Sequence, residues 1–156
     1  MISCRFLLQR PLFFVNSPPV KAALGNRSFA QGVKMASPLD KVEDADIDVG
    51  RFKYILINVH HSPEGGPEVS KHIVRGYSSA GFHADVYDKV APAIEKLGLD
   101  CECLGGGRIL HDAEKKTIEV FGYSQGYGRA DHSLSVEILK KKYPDYEKIT
   151  FSNEGY

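Results

Sequence analysis

The strongest constraint on this chain is a phrase that occurs twice. "GYSSAGFHADVYDK" covers residues 76–89 and "GYSQGYGRADHSLS" covers residues 122–135, an offset of 46 residues. Gly76, Tyr77 and Ser78 recur as Gly122, Tyr123 and Ser124, and Ala84 and Asp85 recur as Ala130 and Asp131. At one matched position the first copy carries His83 and the second Arg129. A group that titrates near neutral pH thus faces a fixed cation across the repeat.

The residues around each copy define the repeating unit. "FKYILINVH" (52–60) is dense in β-branched and aromatic residues and reads as a strand; "HSPEGGPEVS" is a loop; "KHIVRGY" is a second strand. Val86, Val90, Ile94 and Leu97 fall at helical spacing over 84–97, with Gly98 as a C-cap and Pro92 expected to kink or shorten the helix. "DCECLGGGRIL" reads as a strand followed by a glycine run, and "KTIEVFGYS" as another strand. A second helix is expected over 130–142, stopped by Pro144, and "YEKITFSN" is the last strand. The order β-β-α-β-β-α-β contains two related halves. It predicts an α/β fold with a mixed sheet flanked by two helices and a pseudo-two-fold relation between the two GYS turns. Ligands in such folds tend to sit beyond strand ends where helices begin, so the two turns and the glycine run are expected to form one shared site.

Charge separates the ends of the chain. Residues 1–39 hold five of the 20 basic residues and none of the 20 acidic ones, which leaves the remainder at net −5. That balance suits nucleic acid poorly, because phosphate backbones are held by cationic surface. Residues 1–45 are expected to be a basic extension, either disordered or a mitochondrial transit peptide, and 46–156 the functional domain. Gln9, Arg10 and Pro11 interrupt the N-terminal apolar run, so no membrane span is expected there. Cys101 and Cys103 are too close for an ordinary disulfide and, with Cys4, complete no zinc site. They read as reduced strand thiols of an intracellular, cytoplasmic protein, or a mitochondrial one if the extension is a transit peptide. A monomer is expected.

A helix start offers unpaired N–H groups and a partial positive charge. Ser124, Gln125 and Gly126 lie where an anion could approach the backbone, and Ser124, Arg108, Arg75 and Lys53 together suit a doubly charged phosphate. "LGGGR" lacks the Gly-Lys-Ser/Thr of a P-loop, and a bulge or turn explains it equally well. His83 at a helix N-terminus among cations is expected to be neutral, as a general base must be. It could also attack phosphorus itself. From composition and spacing alone, a histidine that packs or caps is the simpler reading. His60 and His61 point to opposite faces, His72 and His111 read as surface residues, and His132 could line the site, with core packing the simpler reading. Asp85 and Asp131 read as first-turn charges favoured by the helix dipole. No metal site is expected.

Taken together, "IVRGYSSAGFHADVYDKV", "CECLGGGRI", "GYSQGYGRADHSLSVEILKKKYPDY" and the ending "NEGY" closely resemble the small phosphohistidine phosphatase family, also called the Janus family. The resemblance runs from about residue 46 to the C-terminus. It implies a mixed sheet flanked by two helices, and hydrolysis of phosphate from phosphohistidine in proteins with no metal or other cofactor. It puts the proton acceptor at His83, a substrate-contacting lysine at Lys53 and the phosphate loop at Ser124, Gln125 and Gly126, with Arg75 and Arg108 as nearby cations. Family members often carry Met-Ala where this chain has Gln125-Gly126. A non-catalytic phosphoprotein-binding or regulatory module using the same cradle is the alternative.

Overall fold

The computed structural model describes residues 36–155, so the expectations for residues 1–35 lie outside the described residues. Among the described residues six strands form one mixed sheet: β1 (Ala45–Ile47), β2 (Gly50–His61), β3 (Val69–Tyr77), β4 (Asp100–Asp112), β5 (Thr117–Phe121) and β6 (Lys148–Phe151), in the spatial order β1-β3-β2-β4-β5-β6. Two helices, α1 (His83–Glu95) and α2 (His132–Lys142), follow β3 and β5. The long antiparallel β2–β4 pair lies at the centre, with β3 antiparallel outside β2 and β5 antiparallel outside β4. Each rim is a short parallel strand, β1 on β3 and β6 on β5. The expected halves are therefore present as a symmetric strand order.

Alternation along β2 explains why its sequence is almost continuously apolar. Phe52, Tyr54 and Leu56 enter the core under α2 with Val74, Ile109 and Leu139; Ile55, Ile57 and Val59 enter the core under α1 with Ile73, Val86 and Val90. A strand covered on both faces has no solvent side to mark with polar residues. Ile55 and Ile57 are completely buried, each contributing about 1.5–3 kcal/mol of apolar transfer energy.

Packing against the sheet begins before residue 46. Leu39 and Val42 pack under α1 and Ala45 under α2, after a short 3-10 turn at Pro38–Lys41 capped by Ser37. No apolar periodicity marks so short a rim strand as β1, so the charged "KVEDAD" conceals it. Helix α1 runs three residues past Pro92, which is exposed, and ends at Glu95 with Gly98 left-handed at φ 72°.

The glycine run is not a turn. It lies inside β4, at a bulge where Leu56 pairs with Gly105 and Ile57 with Cys103. A Cβ on Gly105 would sit 2.6 Å from the Ala130 nitrogen, and one on Gly107 would sit 2.6 Å from the Phe121 oxygen. The run thus lets the loop before α2 lie directly against the sheet. Among the described residues no helix is long and apolar enough to cross a membrane.

Candidate active site

The sheet and the start of α1 enclose a pocket of about 680 Å³. Lys53 and Arg108 are cross-strand partners on the α1 face of β2 and β4, and both line it. His83 and Ala84 enter from the first turn of α1, and Tyr123, Ser124, Gln125, Gly126 and Tyr127 from the loop after β5. The structure therefore gathers six of the seven residues singled out from the sequence: His83, Lys53, Arg108, Ser124, Gln125 and Gly126.

Arg75 is the exception. It is buried under the segment that precedes β1, and its guanidinium donates to the carbonyls of Val74 and Glu43, both at 2.8 Å. Its neighbours are Asp46, Tyr77 and Lys89, in a separate cleft. A backbone carbonyl satisfied by an arginine leaves no signature in the sequence, so Arg75 looked like a phosphate ligand when it pins down the segment before β1.

Only one GYS turn reaches the pocket. In the first copy, the backbone N–H and the hydroxyl of Ser78 both donate to the Asp48 carboxylate at 2.7 Å. The turn does hold an anion, but that anion is the protein's own side chain. The second copy stays open: Ser124 exchanges backbone hydrogen bonds with Gly128, and its Oγ accepts the Tyr127 N–H at 3.2 Å. That closes a tight loop whose tip, Gln125-Gly126, is exposed. No Gly105–Gly107 atom lines the cavity, so the glycine run is structural support for the site and not a phosphate cradle.

The two helix starts differ in the same way. Asp131 caps α2 by accepting from the N–H groups of Ser133 and Leu134. Phe82 occupies the equivalent position of α1 and has no side-chain oxygen, while Asp85 turns back to accept only the Phe82 N–H at 2.7 Å. Among the described residues, neither Phe82 nor Asp85 caps the forward-pointing N–H groups of α1, which lie at the wall of the pocket.

Each helix begins with a histidine, so the counterpart of His83 in the fold is His132 and not Arg129. The two rings press on opposite faces of the glycine run: a Cβ on Gly106 would lie 2.7 Å from His83 Cδ2, and one on Gly107 would lie 2.8 Å from His132 Cε1. His132 is 1% exposed; its Nε2 donates to Gly122 O at 2.8 Å, and Tyr54 O–H donates to its Nδ1 at 2.6 Å. It is the sealed member of the pair. His83 is half-buried and lines the pocket. Its Nε2 lies 2.9 Å from Gly107 O, an atom that only accepts, so Nε2 carries the hydrogen and Nδ1 holds the free lone pair. Burial holds the His83 pKa below the usual imidazole value. The Gly107 carbonyl opposes that shift, and the Lys53 and Arg108 cations reinforce it.

His111 departs from the surface reading. It is 4% exposed and bridges Asp48 O and the Tyr146 hydroxyl, each at 2.7 Å. Asp48, which occupies one GYS turn and braces His111 through its carbonyl, was invisible in the sequence because its partners lie far along the chain. Among the described residues no group of three or more His, Cys, Asp or Glu side chains is arranged to hold a metal ion.

The Janus/Ocnus family model matches residues 39–147, and the chain is a member of that family. It is 56% identical over 124 residues to the 14 kDa phosphohistidine phosphatase of Sus scrofa, covering 78% of this chain and 98% of the relative. It is 55% identical over 118 residues to the protein of the same name from Homo sapiens, covering 74% and 94%. The sex-regulated protein janus-A of Drosophila pseudoobscura pseudoobscura is 47% identical over 138 residues, covering 84% and 92%.

Proposed function

We propose that this protein is a protein histidine phosphatase that hydrolyses the P–N bond of phosphohistidine without a metal, with His83 as the proton acceptor for the attacking water. The observation that carries the reading is the fixed tautomer of His83, whose free Nδ1 belongs to a ring held neutral beside two cations. The names of the relatives at 55–56% identity support the substrate class.

The chemistry follows from the parts present. The phosphoryl oxygens would be held by Lys53, Arg108, the first N–H groups of α1 and the Ser124–Gly126 loop, which stabilise charge as it shifts in the transition state. Water attacks phosphorus and gives its proton to His83 Nδ1. The P–N bond breaks with its electron pair returning to the substrate ring. A phosphohistidine protonated on its other ring nitrogen then leaves as neutral imidazole, so no general acid is needed. Lys53 and Arg108 depress the His83 pKa and bind the phosphoryl group, so base activation and substrate capture share the same two charges.

Turnover of a phosphohistidine peptide in the presence of EDTA, by wild type and by His83→Ala, tests this. Sustained wild-type turnover and a loss of about 10²–10⁴-fold in the variant are expected for removal of a general base. A strict demand for added divalent metal overturns the mechanism, and an absence of wild-type turnover favours a binding module. Rapid quench separates the routes: direct transfer to water leaves His83 unphosphorylated, whereas a phosphorylated His83 on the path makes it the nucleophile.

A further inference from the structure

Phe82 is 73% exposed, belongs to neither hydrophobic core, and lines the mouth of the pocket with Tyr123 and Tyr127. Its sequence position makes that exposure notable. Residues 82, 86, 90 and 94 share one helical spacing, and Val86, Val90 and Ile94 are all buried, so the stripe alone places Phe82 in the core. The chain breaks that pattern at residue 82, which is extended at φ −126° and ψ 160°, and turns the ring outward just before His83. A single exposed aromatic is ordinary. Three around one cationic pocket, one of them adjacent to the proposed base, need a ligand chemistry to account for them.

Tyr127 is committed elsewhere in part. Its ring lies 6.2 Å from that of Tyr87, whose hydroxyl donates to Cys101 O, and its N–H donates to Ser124 Oγ. It braces the loop against α1. Among the described residues Phe82 makes no such ring contact, and its side chain does not cap the helix it precedes.

Resting on the phosphatase reading above, we propose that Phe82 is the platform on which the substrate's imidazole ring stacks, making it the residue that favours phosphohistidine over P–N substrates without a ring. The substrate ring is one bond from phosphorus. With the phosphoryl group on the first turn of α1, the ring must lie at the mouth, beside the residue that precedes that turn. Before cleavage the ring is a cation, and an aromatic face attracts a flat cation through both stacking and its quadrupole. Cleavage returns electrons to the ring and removes its charge, so the platform holds the bound substrate at least as well as the transition state. Its loss therefore appears in KM more than in kcat.

The test compares wild type, Phe82→Ala and Phe82→Trp on two substrates, a phosphohistidine peptide and inorganic phosphoramidate, which has the P–N bond and no ring. Phe82→Ala is expected to lower kcat/KM for the peptide about tenfold, mainly through KM, while changing it less than about twofold for phosphoramidate; Phe82→Trp restores the peptide value. The inference is overturned if Phe82→Ala lowers both substrates in parallel, if it changes neither, or if Phe82→Trp is as poor as Phe82→Ala. Failure of the phosphatase reading is distinct, because then wild type turns over neither substrate, or His83→Ala retains activity on both.

Discussion

Gly106→Ala places the added methyl at the point where the site is tightest. Gly106 has no left-handed φ, so the backbone tolerates alanine and the effect is one of space. The new Cβ would lie 2.7 Å from His83 Cδ2, 2.8 Å from the Tyr54 carbonyl oxygen and 3.2 Å from Ser124 Cβ. The Tyr54 oxygen belongs to the central β2–β4 pair, so that contact is relieved only by a shift between the two strands, whereas the His83 contact is relieved by retreat of the ring. Ordinary contact begins near 3.4 Å, which requires the ring to retreat by about 0.7 Å and stretches its bond to Gly107 O. Overpacking of this kind costs about 1–3 kcal/mol of stability. A displacement near 1 Å at a reacting group costs about 10²-fold in rate. Urea denaturation followed by phosphohistidine-peptide kinetics measures both effects. Gly126→Ala is the control for stability: nothing lies within 4 Å of its Cβ, so folding free energy is expected to stay level or rise by up to about 1 kcal/mol. Wild-type kcat in a stably folded Gly106→Ala protein would refute the claim that the His83 ring is held in its working position by contact with this glycine.

Three further outcomes follow from the same geometry. Lys53→Met should weaken phosphate binding and let the His83 pKa rise; because burial is the larger cause of its depression, the rise is partial and is read by NMR titration in the presence and absence of phosphate. Tyr54→Phe strands the Nδ1 of the sealed histidine and should cost about 1–3 kcal/mol in denaturant unfolding, with the His83 titration unchanged. His83 and His132 both have folded-state pKa values below the unfolded value of about 6.5. The unfolded chain therefore binds more protons below that pH, and stability present above pH 6.5 should fall on acidification through the folded pKa values. A two-variant comparison with His83→Gln and His132→Gln checks that the slope flattens; an unchanged slope in both would contradict it.

Much of the site was legible because its chemistry is carried by local sequence. His83 follows directly from a turn and heads a helix, and Ser124–Gly126 forms its own five-residue loop closed by Gly128. Lys53 and Arg108 could be named as cations but not paired, since their adjacency depends on the register of β2 against β4. What failed depended on contacts between distant residues. Arg75 was misread because its acceptors are backbone carbonyls, and His111 because Tyr146 and the Asp48 carbonyl converge on it from other strands and turns. The repeat itself misled on one point. Its best alignment sets His83 against Arg129, whereas the helices begin at His83 and His132, three residues out of step with the matched letters. The matched Asp85 and Asp131 consequently do different things, one reaching back to the Phe82 N–H and one capping α2. The glycine run shows a related ambiguity: glycines that admit a ligand and glycines that admit a neighbouring loop and two histidine rings look identical in sequence, and here the second reason applies.

The central claim is that His83 presents a neutral ring with its lone pair on Nδ1 beside a captured phosphate. Nitrogen-15 NMR titration of the His83 ring in the wild-type protein addresses it directly. The account predicts the Nε2–H tautomer at pH 7, with a midpoint below about 6.5. An imidazolium at neutral pH, or a ring protonated on Nδ1 alone, would contradict it.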